Sequence, residues 1–584
     1  MTIPSNNAHT LLDSFESNVH ATTLSWFSDD LLPRPGWSAP STDPSGWCSL
    51  SGSNVRDHVR TLAAALVEAG VSRGDRVALM MPNRPEHWLS DLAVLHAGAV
   101  PTTFYPTLSR AQVRSQAAHV GVSAVVLEGS AQVEQWSLAL EHPDLRRVIV
   151  LNENVAPTSA TVEWQTYAEA LERGKARLSR EPSVIEERVQ GSRPEDLATI
   201  IFTSGTTADP KAVPLTHRNV LAAASGLQAA GNPPVPYRSV SYLPTAHILD
   251  RLCNIYVALL LGGEIAFSPN ADALHRVVAR SRPTSFAGVP RIWERLLTLI
   301  ESVPQDRSLD ALRLAGLGDV ALATTAGAPM PTALAERLRS HGLPLVDMWG
   351  LTEASGAITA SSAAAARPHT VGRPLPGSEI RLAADGELML RGPQITPGYL
   401  RPDGTTKSIT DTEGWLPTGD LGGLDADGYV HITDRKKELI VTSGGKNVSP
   451  VAVESLLVRS PLIAQAATFG NDHPYIVALL TIDLEGAKAW MEREHGVATD
   501  ELSANSLVED PTVQAEVARA VDEANAELAR SEQVKRWQLL PRPWSPEDGT
   551  LTPTHKMRRA VIEDRHRAAL TELYRSASSR VRTQ

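Results

Sequence analysis

Residues Ile200 to Asn219 read IIFTSGTTADPKAVPLTHRN, an apolar run ending in a loop of Thr203, Ser204, Gly205, Thr206 and Thr207, with Lys211 close behind. Small residues free backbone N–H groups, hydroxyls add donors, and the lysine adds a cation, which together are what a polyphosphate requires of its host. The loop departs from the GxxxxGK[ST] pattern of P-loop nucleotidases, because Lys211 follows a proline and precedes alanine. Thr216 is suited to cap a following helix. By itself such a loop reads equally well as an ordinary turn, so its meaning depends on its companions.

Those companions occur in a set order: ATTAGAPM (Ala323 to Met330), MWGLTEASG (Met348 to Gly356), GWLPTGDLG (Gly414 to Gly422), ITDRKKELIVTSGGKN (Ile432 to Asn447) and LTPTHKMRR (Leu551 to Arg559). With the Thr203–Lys211 loop they resemble the signatures of adenylate-forming enzymes, the superfamily of acyl-CoA synthetases, luciferases and peptide-synthetase adenylation domains. The likeness runs from about Leu50 to Arg559. It departs at Ala208 and Ala212, where the family pattern TSGTTGxPKG has glycine, and alanine at a positive φ would add strain of about 1 kcal/mol.

The resemblance implies an ATP-dependent ligase that converts a carboxylic acid to its acyl-AMP, releases pyrophosphate, and passes the acyl group to coenzyme A. It assigns the adenine pocket to Gly327, Ala328 and Pro329, with Trp349 in place of the usual tyrosine, stacking on the base, and Gly350 matching the glycine that follows it. Thr352 would contact the α-phosphate, and Glu353 with Thr207 would hold Mg2+, since a hard cation beside phosphates favours carboxylate oxygen. Asp420 would accept the ribose hydroxyls with Arg435 nearby, Lys437 would be the hinge, and Gly445 and Lys446 would face the pantetheine. Lys556 would be the mobile lysine that bridges the acid and ATP.

SYLPTAHILDR (Ser241 to Arg251), PTSFAGVPRIWERL (Pro283 to Leu296), MPNRPEHW and GAVPTTFYPT resemble the long-chain acyl-CoA synthetase branch, with His247 at the mouth of the acyl pocket. His247 reads alternatively as a histidine starting a helix. Two further functions stay open: an acyl-AMP ligase that loads a carrier-protein phosphopantetheine, and a degenerate homologue that binds nucleotide or lipid without turnover.

The elements that must position these residues follow an α/β rhythm. Between Arg56 and Leu127 helical and strand patterns alternate, as in a sheet of parallel strands. The rhythm continues through LATIIFT, SVSYLP, GEIAFS and TSFAGVP, each followed by a helix-like segment. Short strands with Gly and Asp turns follow Ala383, a β-rich texture. The expectation is a large N-terminal domain of layered α/β subdomains plus a β-rich subdomain (1–434) and a smaller, mobile α+β C-terminal domain (435–584).

At 584 residues the chain has room for such a two-part build, and its net charge of −11 opposes a general attraction to nucleic acid. Only Cys48 and Cys253 are present, which fits a reducing compartment, the cytoplasm, and excludes a cysteine-built metal site. No apolar run spans a bilayer. Peripheral membrane contact and a homodimer remain compatible with this composition.

Overall fold

The computed structural model describes residues 10–28, 41–152, 155, 162–203, 210–302, 308–497, 502–546, 548–552 and 556–575. Ser204, Gly205, Thr206 and Thr207 of the expected phosphate loop lie outside the described residues, as does Ala208. The chain divides into two compact units, one of Met1–Arg381, Met389–Thr418 and Leu424–His431, the other of Leu382–Leu388, Gly419–Gly423 and Ile432–Gln584.

The first unit contains a five-stranded sheet in the order Val100–Thr103, Arg76–Met80, Val122–Leu127, Arg147–Val150, Glu163–Thr166, parallel throughout. Helices Gly52–Glu68, Pro85–His96 and Arg110–Val120 connect or flank its strands. Every residue of Val122–Leu127 is buried. A strand covered on both faces reads as a continuous apolar run rather than an alternating one, which is how SAVVLEG presents itself.

A second sheet sets Tyr237–Ser241, Gly263–Phe267 and Thr23–Phe27 in parallel, and Trp47–Ser51 joins antiparallel. A third, all parallel, is built of Ser285–Gly288, Leu322–Thr325 and Leu345–Asp347. Ile255 to Phe267 forms the end of a π-helical turn, a short α-helix and a strand.

The rhythm breaks at the phosphate loop. Leu197–Thr203 is followed not directly by a helix but by an antiparallel strand, Lys211–Thr216, which pairs in turn with Tyr399–Leu400. Two features hid this strand. Pro214 argues against a strand interior, and Ala212, Val213 and Leu215 are all fully buried, so no alternation marks it. Ala212 pairs with Phe202 within the strand and is not among the residues of positive φ, so alanine carries no backbone strain there. The helix then begins where Thr216 predicts, with Thr216 and Asn219 forming a reciprocal capping box.

The second unit is built around the strands Ile463–Phe469, Ile476–Ile482 and Val534–Leu540, the first pair antiparallel and the second parallel. Helices Pro450–Leu457, Leu484–His495 and Pro511–Ala526 belong to it. A hairpin joins Ile440–Val441 to Asn447–Val448.

Candidate active site

In the first unit Thr203 and Lys211, which flank the expected phosphate loop, face one another across the antiparallel pair. The Lys211 ammonium lies 4.5 Å from the centroid of the Tyr399 ring. The Tyr399 hydroxyl donates to Glu353 Oε1 at 2.7 Å. One tyrosine therefore brings together two residues that the sequence had only suggested were neighbours. Tyr399 itself was missed, and its signal was slight: an aromatic directly after Pro397 and Gly398 in a turn-rich stretch.

The segment before Tyr399 is tied from several sides. The Thr396 N–H donates to the Glu353 carbonyl at 2.8 Å, and the Thr396 hydroxyl donates to the Pro214 carbonyl. Asn219 of the capping box donates from Nδ2 to the Pro393 and Ile395 carbonyls, both at 2.8 Å. Ser355, in the left-handed region at φ 57°, donates from its hydroxyl to the Gln394 carbonyl at 2.9 Å.

Thr352 and Glu353 stand in a single 3-10 turn, both half-buried. Gly350 is required here by packing, since a Cβ would fall 1.8 Å from the Gly356 carbonyl oxygen. Trp349 is 8% exposed, and its N–H donates to Thr359 Oγ1 at 3.3 Å. Gly327, Ala328 and Pro329 form an exposed loop beyond the strand Leu322–Thr325, with Gly327 at φ 86°.

The long-chain-like segments meet in a buried polar network. Arg251 grips Asp91 with both terminal nitrogens, at 2.7 and 2.9 Å, and donates from Nε to the Tyr256 hydroxyl at 2.9 Å. His87 Nε2 lies 2.9 Å from Thr245 Oγ1 and 3.2 Å from Thr103 Oγ1. Burial, reinforced by the charge of Arg251, lowers His87 to about 3, so it is neutral. Asp250 accepts from Ser241 and from Asn254, each at 2.8 Å, and burial raises it to about 7. Asn83 extends the network to Ser241 and to the Leu243 carbonyl.

His247 opens the helix Ile248–Arg251 and accepts the Leu249 N–H at 3.2 Å through Nδ1. It thus performs the capping role open to it, half-buried at the start of that helix. That helix touches the Glu353 turn, because a Cβ on Gly356 would meet Ile248 Cγ1 at 2.9 Å.

In the second unit Asp420 is 3% exposed and pairs with Arg435, Nε to Oδ1 at 3.0 Å. Lys437 is exposed in the turn after Val430–Arg435. Gly445, at φ 71°, and the exposed Lys446 form the tip of the 440–448 hairpin. Lys556 is exposed, with its N–H donating to Thr552 Oγ1 at 3.0 Å and its carbonyl accepting from the Thr552 N–H at 2.8 Å. Three residues on, Arg559 makes a two-pronged contact with Glu454 at 2.6 and 3.1 Å.

Among the described residues no group of three or more His, Cys, Asp or Glu side chains forms a metal cage. Magnesium with a triphosphate keeps water and phosphate oxygens and needs only one or two carboxylates from its host, so the Glu353 carboxylate fits that ion.

Residues 34–400 match the family described as AMP-binding enzyme, and residues 437–578 match the AMP-binding enzyme C-terminal domain. The chain belongs to this family of adenylate-forming enzymes. Long-chain-fatty-acid–CoA ligase FadD15 of Mycobacterium bovis is 32% identical over 573 residues, covering 90% of this chain and 92% of the ligase. Long-chain-fatty-acid–CoA ligase ACSBG2 of Gallus gallus is 27% identical, covering 92% of this chain and 79% of its own. Among solved structures, the adenylation domain of carboxylic acid reductase from Segniliparus rugosus, in complex with AMP and a co-purified carboxylic acid, aligns with a TM-score of 0.74 at 20% identity, covering 98% and 95% of the two chains. The anthranilate CoA ligase AuaEII bound to anthranoyl-AMP aligns at 0.71 and 18%, covering 96% and 98%.

Proposed function

We propose that the chain is an ATP-dependent acid:CoA ligase that activates a medium- to long-chain fatty acid as acyl-AMP and transfers the acyl group to coenzyme A. The observation that carries the adenylating step is the meeting of Lys211 and Glu353 on Tyr399, beside the strand that leads out of the phosphate loop. The acid class rests on the long-chain ligases that resemble this chain from end to end.

A carboxylate resists a thiol because oxide is a poor leaving group. Exchange of that oxygen onto AMP supplies a good one, and pyrophosphate departs. Negative charge builds at the α-phosphate as the acid attacks, and Lys211, Thr352 and Lys556 offset it. Glu353, with Thr207, would hold a magnesium ion, which when bound adds positive charge beside the phosphates. Asp420, held by Arg435, accepts the ribose hydroxyls.

Thioester formation needs the thiol to reach the acyl carbon from the side that Lys556 served. The region after Asp434 is therefore proposed to turn about Lys437 and present the Gly445–Lys446 tip, so that one cavity completes two sets of contacts in sequence. The two buried free cysteines are in keeping with a cytoplasmic setting. No helix among the described residues is long and apolar enough to cross a membrane.

The test is pyrophosphate release from purified enzyme with ATP and a panel of fatty, aromatic and hydroxylated acids, followed by detection of acyl-CoA. Release with fatty acids and acyl-CoA formation are expected. Release without acyl-CoA would transfer the reading to a carrier-protein acceptor, and no release with any acid would overturn it.

A further inference from the structure

Lys211 and Glu353 carry opposite charges and share one neighbour. The ammonium sits 4.5 Å from the ring centroid of Tyr399, and the carboxylate takes the hydroxyl of the same residue at 2.7 Å. Were these charges to close on one another, each would neutralise the other and the lysine's donors would be turned away from a phosphate. Among the described residues no carboxylate pairs with the Lys211 ammonium. An aromatic face gives a cation an electrostatic partner that carries no negative charge. A phenol donor fixes a carboxylate while leaving its charge intact.

Tyr399 is held firmly enough to act in this way. Gly398 before it has φ 148°, and a Cβ there would fall 2.1 Å from the Lys407 carbonyl oxygen. Tyr399 is itself in register with Lys407, and Thr396 ties the preceding turn to both Pro214 and Glu353.

We propose that Tyr399 is a positioning residue for adenylation: a spacer that keeps Lys211 and Glu353 apart, leaving the lysine to the phosphates and the carboxylate to the metal. This role rests on the adenylating reading of the site. It differs from a packing role because it makes the fate of Lys211 depend on the charge of Glu353.

The test is calorimetric binding of ATP to the full-length chain, once in EDTA and once with Mg2+, for wild type, Tyr399→Phe, Tyr399→Leu and Tyr399→Leu/Glu353→Gln. Tyr399→Phe keeps the ring and is expected to hold metal-free affinity within about twofold while losing about tenfold of the gain from Mg2+, the scale of one hydrogen bond to a charged group. Tyr399→Leu lets the charges close, so metal-free affinity is expected to fall about tenfold as well. Removing the acid in the double variant frees Lys211, and metal-free affinity is expected to return to within about threefold of wild type, a coupling that independent packing defects would not show. A double variant no better than Tyr399→Leu, or a Tyr399→Phe chain that responds to Mg2+ as wild type does, overturns the spacer. If thermal melting shows Tyr399→Leu unfolded, the Tyr399→Phe comparison decides alone. A wild-type chain that binds no ATP and releases no pyrophosphate overturns the adenylating reading itself, an outcome distinct from failure of the variants.

Discussion

Lys556 is exposed, with its backbone held by Thr552 and the Arg559–Glu454 pair three residues on, so its replacement removes a charge without disturbing a core. In Lys556→Ala, pyrophosphate release is expected to fall roughly a hundredfold or more, the scale of losing a partner for transition-state charge. Acyl-CoA formation from supplied acyl-AMP is expected to persist, and equal loss in both assays would refute the role. Asp250 makes a different prediction. Burial raises its carboxyl from the ordinary 3.8 to about 7, so the folded chain binds that proton more tightly than the unfolded chain. Its stabilising contribution is complete below about pH 4 and is lost as pH climbs through about 7. Melting temperature measured from about pH 5 to about pH 8 is expected to decline less in Asp250→Asn than in wild type, because an amide has no proton to lose. An unchanged slope would show that Asp250 titrates normally.

At the scale of elements, the strand Lys211–Thr216, the 3-10 turn Thr352–Ala354 and the segment ending in Tyr399 form one assembly, joined through Thr396. Gly398 permits it. In Gly398→Ala the new methyl meets the Lys407 carbonyl at 2.1 Å, so the segment must shift and carry Tyr399 away from Glu353. Stability is expected to fall by about 1–3 kcal/mol, and the KM for ATP to rise about tenfold as the contacts made by Tyr399 are lost. A chain with lower melting temperature but unaltered KM would separate the turn from nucleotide handling. The buried network of Asp91, Arg251, His87 and Thr245 does comparable work beside the helix that His247 opens.

For the whole molecule the matter is how one chain completes two reactions. The proposed rotation about Lys437 can be tested because that residue is exposed in a turn and its conformation can be restricted without touching a core. Proline at this position narrows φ to near −65°. Lys437→Pro is expected to keep pyrophosphate release within about threefold while acyl-CoA formation falls tenfold or more, the signature of a blocked conformational step. Loss of both steps in parallel would mean that residue 437 serves the fold rather than the movement.

The local chemistry of the chain was readable in its residues. A helix cap such as Thr216 and the buried parallel strands depend on neighbours a few positions away, so type and spacing suffice. By resemblance the motif order also identified the family, which residues 34–400 and 437–578 match. Tertiary structure decided which distant groups meet. Asp91 and Arg251 lie 160 positions apart, and Tyr399 lies 46 from Glu353, separations over which no periodicity links one side chain to another. The strand Lys211–Thr216 was hidden for the same reason: it is covered on both faces by elements brought from elsewhere, and Thr396 takes the carbonyl of the very proline that argued against it. Contacts of this kind arise only when the chain closes long loops and buries the groups together, and burial is also what moves Asp250 and His87 from their ordinary titration ranges.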